Sequence, residues 1–250
     1  MNGVIIIDKP KGKTSHDIVG ILRKKFGTRR VGHTGTLDPL ATGVLPVCIG
    51  NATRAADMLI ESDKKYRATF LLGKRSDTLD IEGQITEENE VSVSEEDVRR
   101  VVSEFIGEQD QIPPMYSAIK KDGKKLYDLA REGIEIEREP RRINIYSIDI
   151  CDIALPTVTI DVHCSKGTYI RSLCDDIGTK LGCGAVMTEL RRTYTAGFAI
   201  EDAYTIDELD KLEDLSGTLK TTDSLFLSLP EIQLNEKQEK SITNGVRMTW

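Results

Sequence analysis

Apolar residues fall in short blocks along this chain. Val4-Ile5-Ile6-Ile7 after Gly3 reads as a buried strand, ended by Pro10 and Gly12. Thr14 with Asp17 three positions on is a capping-box start. Ile18, Leu22 and Phe26 follow at helical spacing, and Arg23, Lys24 and Lys25 sit where the helix dipole favours cations. Residues 31–43 carry glycines, a proline and two Thr-Gly pairs, so a loop is expected. Residues 44–49 and 65–72 read as strands, with a helix over 52–60 between them. Ser94 and Asp97 repeat the capping pattern for a helix reaching Ile106. Gln111 to Ser117, holding Pro113-Pro114, is expected to be extended, and Lys124 to Glu132 a short basic helix. Strands are expected over 143–153 and 157–164, where Val158, Ile160 and Val162 alternate with polar residues. A helix over 168–181 stops at Gly182, strand-like pieces run over 185–200, and a helix lies near 205–212. Strands and helices follow no regular βαβ rhythm, which points to the α+β class.

Composition narrows this picture. At 250 residues, 39% hydrophobic and 30% charged, the chain has the mass for a real core and for one or two domains. That excludes collagen-like, low-complexity and wholly disordered classes. No apolar run approaches the roughly 18–20 residues of a membrane span. The opening MNGVIIIDKP lacks the layout of a signal peptide, so a cytoplasmic protein without a membrane partner is expected. Five cysteines, an odd number without CxxC spacing, fit reduced thiols. His16, His33 and His163 are scattered away from ligand spacing, so neither metal nor cofactor is expected.

The net charge of −7 argues against a nucleic-acid partner until its distribution is examined. Residues 1–75 hold 14 Lys and Arg against six acids, and residues 76–112 hold two against 12. A basic N-terminal third permits a positive face on an acidic protein.

The candidate chemistry is concentrated in a few segments. Gly12-Lys13-Thr14 imitates the end of a phosphate-binding loop, but Ile7 stands where the motif needs glycine. GHTGTLDPLATG, residues 32–43, combines a Gly-rich loop with Asp38 and His33, and Pro39 holds Asp38 out of α conformation. Asp38 there is either a nucleophile or acid/base, or the acceptor of an Asx-turn. In KGTYIR, 166–171, Arg171 is placed to pair with a loop carboxylate or to sit on the surface, and Tyr169 to stack on a base or fill the core. Tyr66 stands among cations in KKYR, a pattern shared by nucleic-acid stacking surfaces and by ordinary strands.

GHTGTLDPLATGVLPVCIG, 32–50, resembles the aspartate loop of the TruB family of tRNA pseudouridine synthases. GVIIIDKPKGKTSH (3–16), KKYRATFLLGKRSDTLDIEG (64–83), QIPPMYSAIKKDGKKLYDLAREG (111–133), CSKGTYIRSLCDDIG (164–178) and Leu190-Arg191-Arg192 are similar to further segments of that family, in its order. The resemblance implies a pseudouridine synthase fold, a mixed and largely antiparallel sheet flanked by helices, with an RNA-gripping insertion at about 111–142. It implies isomerisation of the uridine at position 55 in the TΨC loop of tRNA to pseudouridine, on a base flipped out of the folded loop. The family's nucleophile falls on Asp38, its base-stacking tyrosine on Tyr66 and its aspartate-pairing arginine on Arg171. Its substrate-contacting residues fall on His33, Tyr169 and Leu190, and its early Lys-Pro pair on Lys9-Pro10, with Lys9 expected against the substrate as well. Lys120, Lys121, Lys124, Lys125 and Arg131 supply the grip on the T-arm stem-loop. A monomer without cofactor is expected, with residues 1–229 catalytic. Residues 230–250 are too few for an independent core and are expected to be a remnant or the start of a PUA-like region. Two rivals are a non-catalytic RNA-binding module and a carboxylate-dependent hydrolase. The hydrolase wants a second catalytic carboxylate, for which Asp8 and Asp77 are candidates.

Overall fold

The structure, a computed structural model, describes residues 1–56, 62–226 and 230–247. Its centre is one sheet built from β1 (Gly3–Lys9), β2 (Val31–His33), β3 (Thr42–Ile49) and β4 (Lys64–Leu72). A small hairpin follows, β5 (Lys74–Ser76) with β6 (Ile85–Glu88), and then β7 (Gly107–Gln111) at a sheet edge. Next come a two-residue-strand hairpin, β8 (Lys120–Lys121) and β9 (Lys124–Lys125), and the long strands β10 (Arg141–Ala154) and β11 (Thr157–Cys164). β12 (Ala185–Thr195) and β13 (Phe198–Ala199) complete the strands. The sheet order is β1-β3-β12-β4-β11-β10-β7, with β2 also on β3 and β13 on β12. Every pairing is antiparallel except β12 on β3, so the sheet is mixed and largely antiparallel, and the chain is α+β.

Alternation decides which face is covered. On β4, Tyr66, Ala68, Phe70 and Leu72 point into the core, and on β11 Val158, Ile160, Val162 and Cys164 do the same. The helices Ser15–Lys25, Glu95–Ser103 and Ile170–Lys180 cover this face with Ile18 and Leu22, Val98 and Val102, and Leu173 and Ile177. Fully burying each such side chain contributes about 1.5–3 kcal/mol. β1 sends Ile5 and Ile7 into this core and Val4 and Ile6 into a second cluster with Val44, Cys48 and Phe198. Burial on both faces is why its sequence is continuously apolar.

The capping boxes read at Thr14–Asp17 and Ser94–Asp97 are formed, each satisfying otherwise unpaired amides at a helix start. Other expectations need correction. Residues 31–33 leave the expected loop and pair with β3, because β3 exposes an edge there. Of the helix expected over 52–60, residues 52–55 belong to a 3-10 turn, Gly50–Ala55, Ala56 is helical, and residues 57–61 lie outside the described ones. Lys124 and Lys125 are strand, and the helix after them is only Leu126–Arg131. Asp122 and Gly123 take positive φ, 51° and 83°, which turns the chain tightly enough to pair β8 with β9.

Gln111 stands opposite Arg141, so residues 112–140 leave and re-enter the sheet at adjacent positions. At the β3–β12 contact Gly43, with φ 100°, faces Arg192, and a Cβ there would lie 2.2 Å from the Arg192 carbonyl oxygen. Only glycine permits this approach. The helix Glu236–Thr243 is capped by Asn235 and contributes no buried residue. Among the described residues no helix is long and apolar enough to cross a membrane.

Candidate active site

The loop between β2 and β3 is fixed from three sides. Ser15 Oγ, at the start of the first helix, accepts from Leu37 N at 2.8 Å and donates to Leu37 O at 3.1 Å. Pro39 O accepts from Gly12 N at 2.8 Å. Arg192, fully buried on β12, donates through Nε to Val44 O at 2.7 Å and through Nη2 to Gly35 O at 3.2 Å. Asp38, at the tip of this loop, keeps a side chain that is 46% exposed.

Arg171 opens the helix Ile170–Lys180 and is only 7% exposed. Its Nη2 meets Asp38 Oδ2 at 2.9 Å and Tyr116 O at 2.8 Å. Its Nη1 donates to Thr78 O at 2.9 Å and meets Asp80 Oδ2 at 3.3 Å. Asp80 is itself 8% exposed and accepts through Oδ1 from Thr78 Oγ1 at 2.8 Å and from Glu82 N at 3.1 Å. One guanidinium is therefore held rigidly between a buried carboxylate and an accessible one, so its position does not depend on Asp38. Fixed multi-point contacts of this kind are what the planar guanidinium provides and an ammonium does not.

These groups line a cleft of about 490 Å³ with Tyr66, Tyr169 and Leu190. Tyr66 lies on β4 beside Arg192, and burial raises its phenol's pKa. Tyr169 is fixed at its backbone by Gln111, which accepts from Tyr169 N at 2.8 Å and donates to Tyr169 O at 3.0 Å. Burial raises the Tyr169 phenol as well. The insertion supplies Tyr116, Ser117, Tyr127 and Arg131, with the Arg131 guanidinium 5.4 Å from the Tyr127 ring centre.

Asp38, Tyr66, Arg171, Tyr169, Leu190 and Arg131 are thus brought together. Lys120, Lys121, Lys124 and Lys125 stand on the β8–β9 hairpin, outside the cleft lining. His33 also stands outside it, with Nδ1 buried and unpartnered among the described residues; burial above all, then His16 and Arg192, lowers its pKa. Lys9, expected against substrate, is wholly buried behind the loop, where Nζ donates to Lys13 O at 2.6 Å and Pro10 O at 2.9 Å. Asp8 is paired with Arg191 at 2.7 Å and Asp77 accepts from Gln84 N, so neither supplies the second carboxylate of a hydrolase. The carboxylate that does approach, Asp80, was not singled out from the sequence. No local sequence signal marks it: Asp77 and Asp80 are two acids of one turn, with Leu79 at φ 63°, and only the fold buries the second.

Lys9 carries a pH signature. Burial pushes its ammonium down to about 8 from 10.5, against the pull of Asp38. Between those values the unfolded chain holds a proton that the folded one lacks, so this group favours folding increasingly as pH rises through the window. The denaturant midpoint of the protein is expected to gain on that of Lys9→Met across that range and to run parallel to it below. Parallel curves throughout would remove Lys9 as the titrating group.

Comparison with known proteins gives a consistent result. A family model described as TruB family pseudouridylate synthase, N-terminal domain, matches residues 23–170, and one described as the tRNA pseudouridylate synthase B C-terminal domain matches residues 171–226. The tRNA pseudouridine synthase B of Alkaliphilus oremlandii is 50% identical over 248 residues, covering 99% of this chain and 83% of its own. That of Clostridium tetani is 47% identical over 249 residues, covering 99% and 86%. Among solved structures, a chain of a Cbf5-Nop10-Gar1 complex superposes with a TM-score of 0.79 at 31% identity, over 98% of this chain and 67% of that one. A chain of an H/ACA RNP bound to a substrate RNA containing 2'-deoxyuridine gives 0.67 at 30% identity, over 89% and 60%.

Proposed function

The chain belongs to the TruB family of pseudouridylate synthases, and from that membership we propose that it isomerises the uridine at position 55 of the tRNA T loop to pseudouridine. The observation that carries the reading is the accessible Asp38 carboxylate held by Arg171 in a cleft floored by Tyr66. The target base lies stacked in a folded loop, so it enters the cleft by flipping. Asp38 either attacks the ribose C1′ or promotes a glycal. In both routes the base detaches, turns and rejoins through carbon. Arg171 orients the carboxylate, Tyr66 stacks on the flipped base, and Tyr169 and Leu190 wall the pocket. Lys9 acts from behind, by holding the loop. The enzyme works as a cytoplasmic monomer on the T-arm without metal or cofactor, and residues 1–229 act as one catalytic unit. Incubating the pure chain with a T-arm hairpin and measuring pseudouridine tests this directly. Unconverted uridine under conditions where the hairpin is bound would refute it.

Lys120, Lys121, Lys124, Lys125 and Arg131 contact phosphates of the stem and position it without reading sequence. Each lost phosphate contact lowers the salt slope of binding by roughly 0.7–0.9. Replacing the four lysines by alanine is expected to weaken hairpin binding and flatten its salt dependence, with much of the rate recovered at saturating RNA. An unchanged slope in a salt titration would move the RNA face to Arg23, Lys24, Lys25, Arg29 and Arg30.

A further inference from the structure

The hairpin of β5 and β6 and the helix Ile170–Lys180 meet twice. In the cleft, Asp80 of the hairpin loop meets Arg171 of the helix at 3.3 Å. Outside the cleft lining, Arg75 of β5 forks onto Asp175, its Nε donating to Oδ1 at 2.8 Å and its Nη2 to Oδ2 at 2.7 Å. The same Nη2 donates to Thr179 Oγ1 at 2.9 Å. Each element thus contributes one arginine and one aspartate, and the two pairs are crossed. Arg171, Asp175 and Thr179 follow one another at four-residue steps, so they share one face of the helix, each about 6 Å along the axis from the last. The Arg75 stem has room made for it: it crosses Gly184, where a Cβ would lie 2.7 Å from Arg75 Cγ. The Asp175 side chain is 13% exposed, and a two-point arginine–carboxylate fork is the ion-pair geometry that holds its partners in place.

We propose that Arg75 and Asp175 are positioning residues for the reaction: their pair sets the angle between hairpin and helix, and through it the place of the Arg171 guanidinium against Asp38. The inference rests on the activity proposed above and deepens it. One contact between two elements, Asp80 with Arg171, fixes a distance and leaves the elements free to turn about it. A second contact one helical turn further on removes that freedom. Both elements also rest on β12. The hairpin loop does so through Ile81 N, which donates to Met187 O at 2.9 Å, and the helix through Gly178, where a Cβ would lie 2.2 Å from Ala185 N. Those contacts seat each element on the sheet, whereas the fork of Arg75 joins the two to each other. With the fork gone, Arg171 keeps its partners at a relaxed spacing, and the carboxylate it orients meets the ribose at a changed angle.

The test measures Arg75→Gln and Asp175→Asn, each alone and combined with Asp80→Asn, in single-turnover assays on the T-arm hairpin below their melting temperatures. Each single variant is expected to slow the chemical step about 10-fold, less than the roughly 100-fold that a misplacement of 1 Å costs. Hairpin affinity should stay within twofold, because neither residue lines the cleft. In the Asp80→Asn protein, where Arg171 is already loosened, the same substitutions should cost less than about twofold. A pair that only stabilises the fold would lower the melting temperature and leave the rate within twofold of the unaltered protein, and that result would overturn the proposal. So would a 10-fold loss repeated in full on Asp80→Asn, or an affinity that falls in step with the rate. If Arg75→Gln does not fold, the isosteric Asp175→Asn decides alone. Absence of turnover by the unaltered protein on a bound hairpin would refute the activity itself, and this inference with it.

Discussion

Asp38→Asn is expected to abolish pseudouridine formation, lowering the single-turnover rate by roughly four orders of magnitude or more, the scale on which lost nucleophiles register. The amide keeps the shape of the side chain and loses the carboxylate charge that either proposed route needs. Nothing else in the loop should change, because its anchors are not the Asp38 carboxylate. They are Ser15 on Leu37, Gly12 on Pro39 and Arg192 on Gly35. RNA affinity should accordingly stay within a few-fold. Single-turnover assays with saturating enzyme, paired with filter binding of the same hairpin, separate the two quantities. Residual turnover in a homogeneous preparation would take Asp38 out of its role.

The second large effect is expected at a residue the substrate does not need to touch. Asp80→Asn should retain an oxygen for Thr78 Oγ1 and Glu82 N but turn an amide donor toward Arg171 Nη1. Two donors then face each other in a buried space, and the guanidinium loses the carboxylate that fixes it from behind. Misplacing a charged group aimed at the reacting centre costs about 100-fold in rate. The fold should lose about 1–3 kcal/mol, the penalty for an unsatisfied buried group. The chemical step should slow while hairpin affinity changes little. A rate within twofold of the unaltered enzyme would show that Asp38 and the Thr78 and Tyr116 carbonyls hold Arg171 unaided.

Local signals were legible and distant ones were not. Thr14–Asp17 and Ser94–Asp97 announce helix starts because a capping box closes within four residues. The alternation in β11 likewise needs no partner to be read. Asp38, Tyr66 and Arg171 emerged as candidates only as one of two readings each, and it was the ordered string of family-like segments that joined them. Asp80 escaped because its meaning is its approach to Arg171, 91 residues on. Lys9 was placed against substrate because a lysine beside a proline carries no mark of burial. Arg191 and Arg192 look alike in sequence, yet strand alternation sends the first to the surface, 41% exposed and paired with Asp8, and the second into the core at 1%. The hairpin of β5 and β6 was missed since neither strand has an apolar face long enough to show period two.

The place of β12 bears on how the chain is made. It lies between β3 and β4, which are adjacent strands in the chain, but it is synthesised more than a hundred residues after β4 ends. On a ribosome adding about 5–20 residues per second, that interval is roughly 6–20 s. Throughout it β3 and β4 each present an open row of amides and carbonyls to solvent, and such edges invite pairing with other chains. Arg171 and Arg192 also arrive with this last third, so the aspartate loop is the first part of the candidate site to emerge and the last to be locked. Under the proposed function a nascent chain is therefore expected not to act on RNA early: the strand that closes its sheet also completes the candidate site.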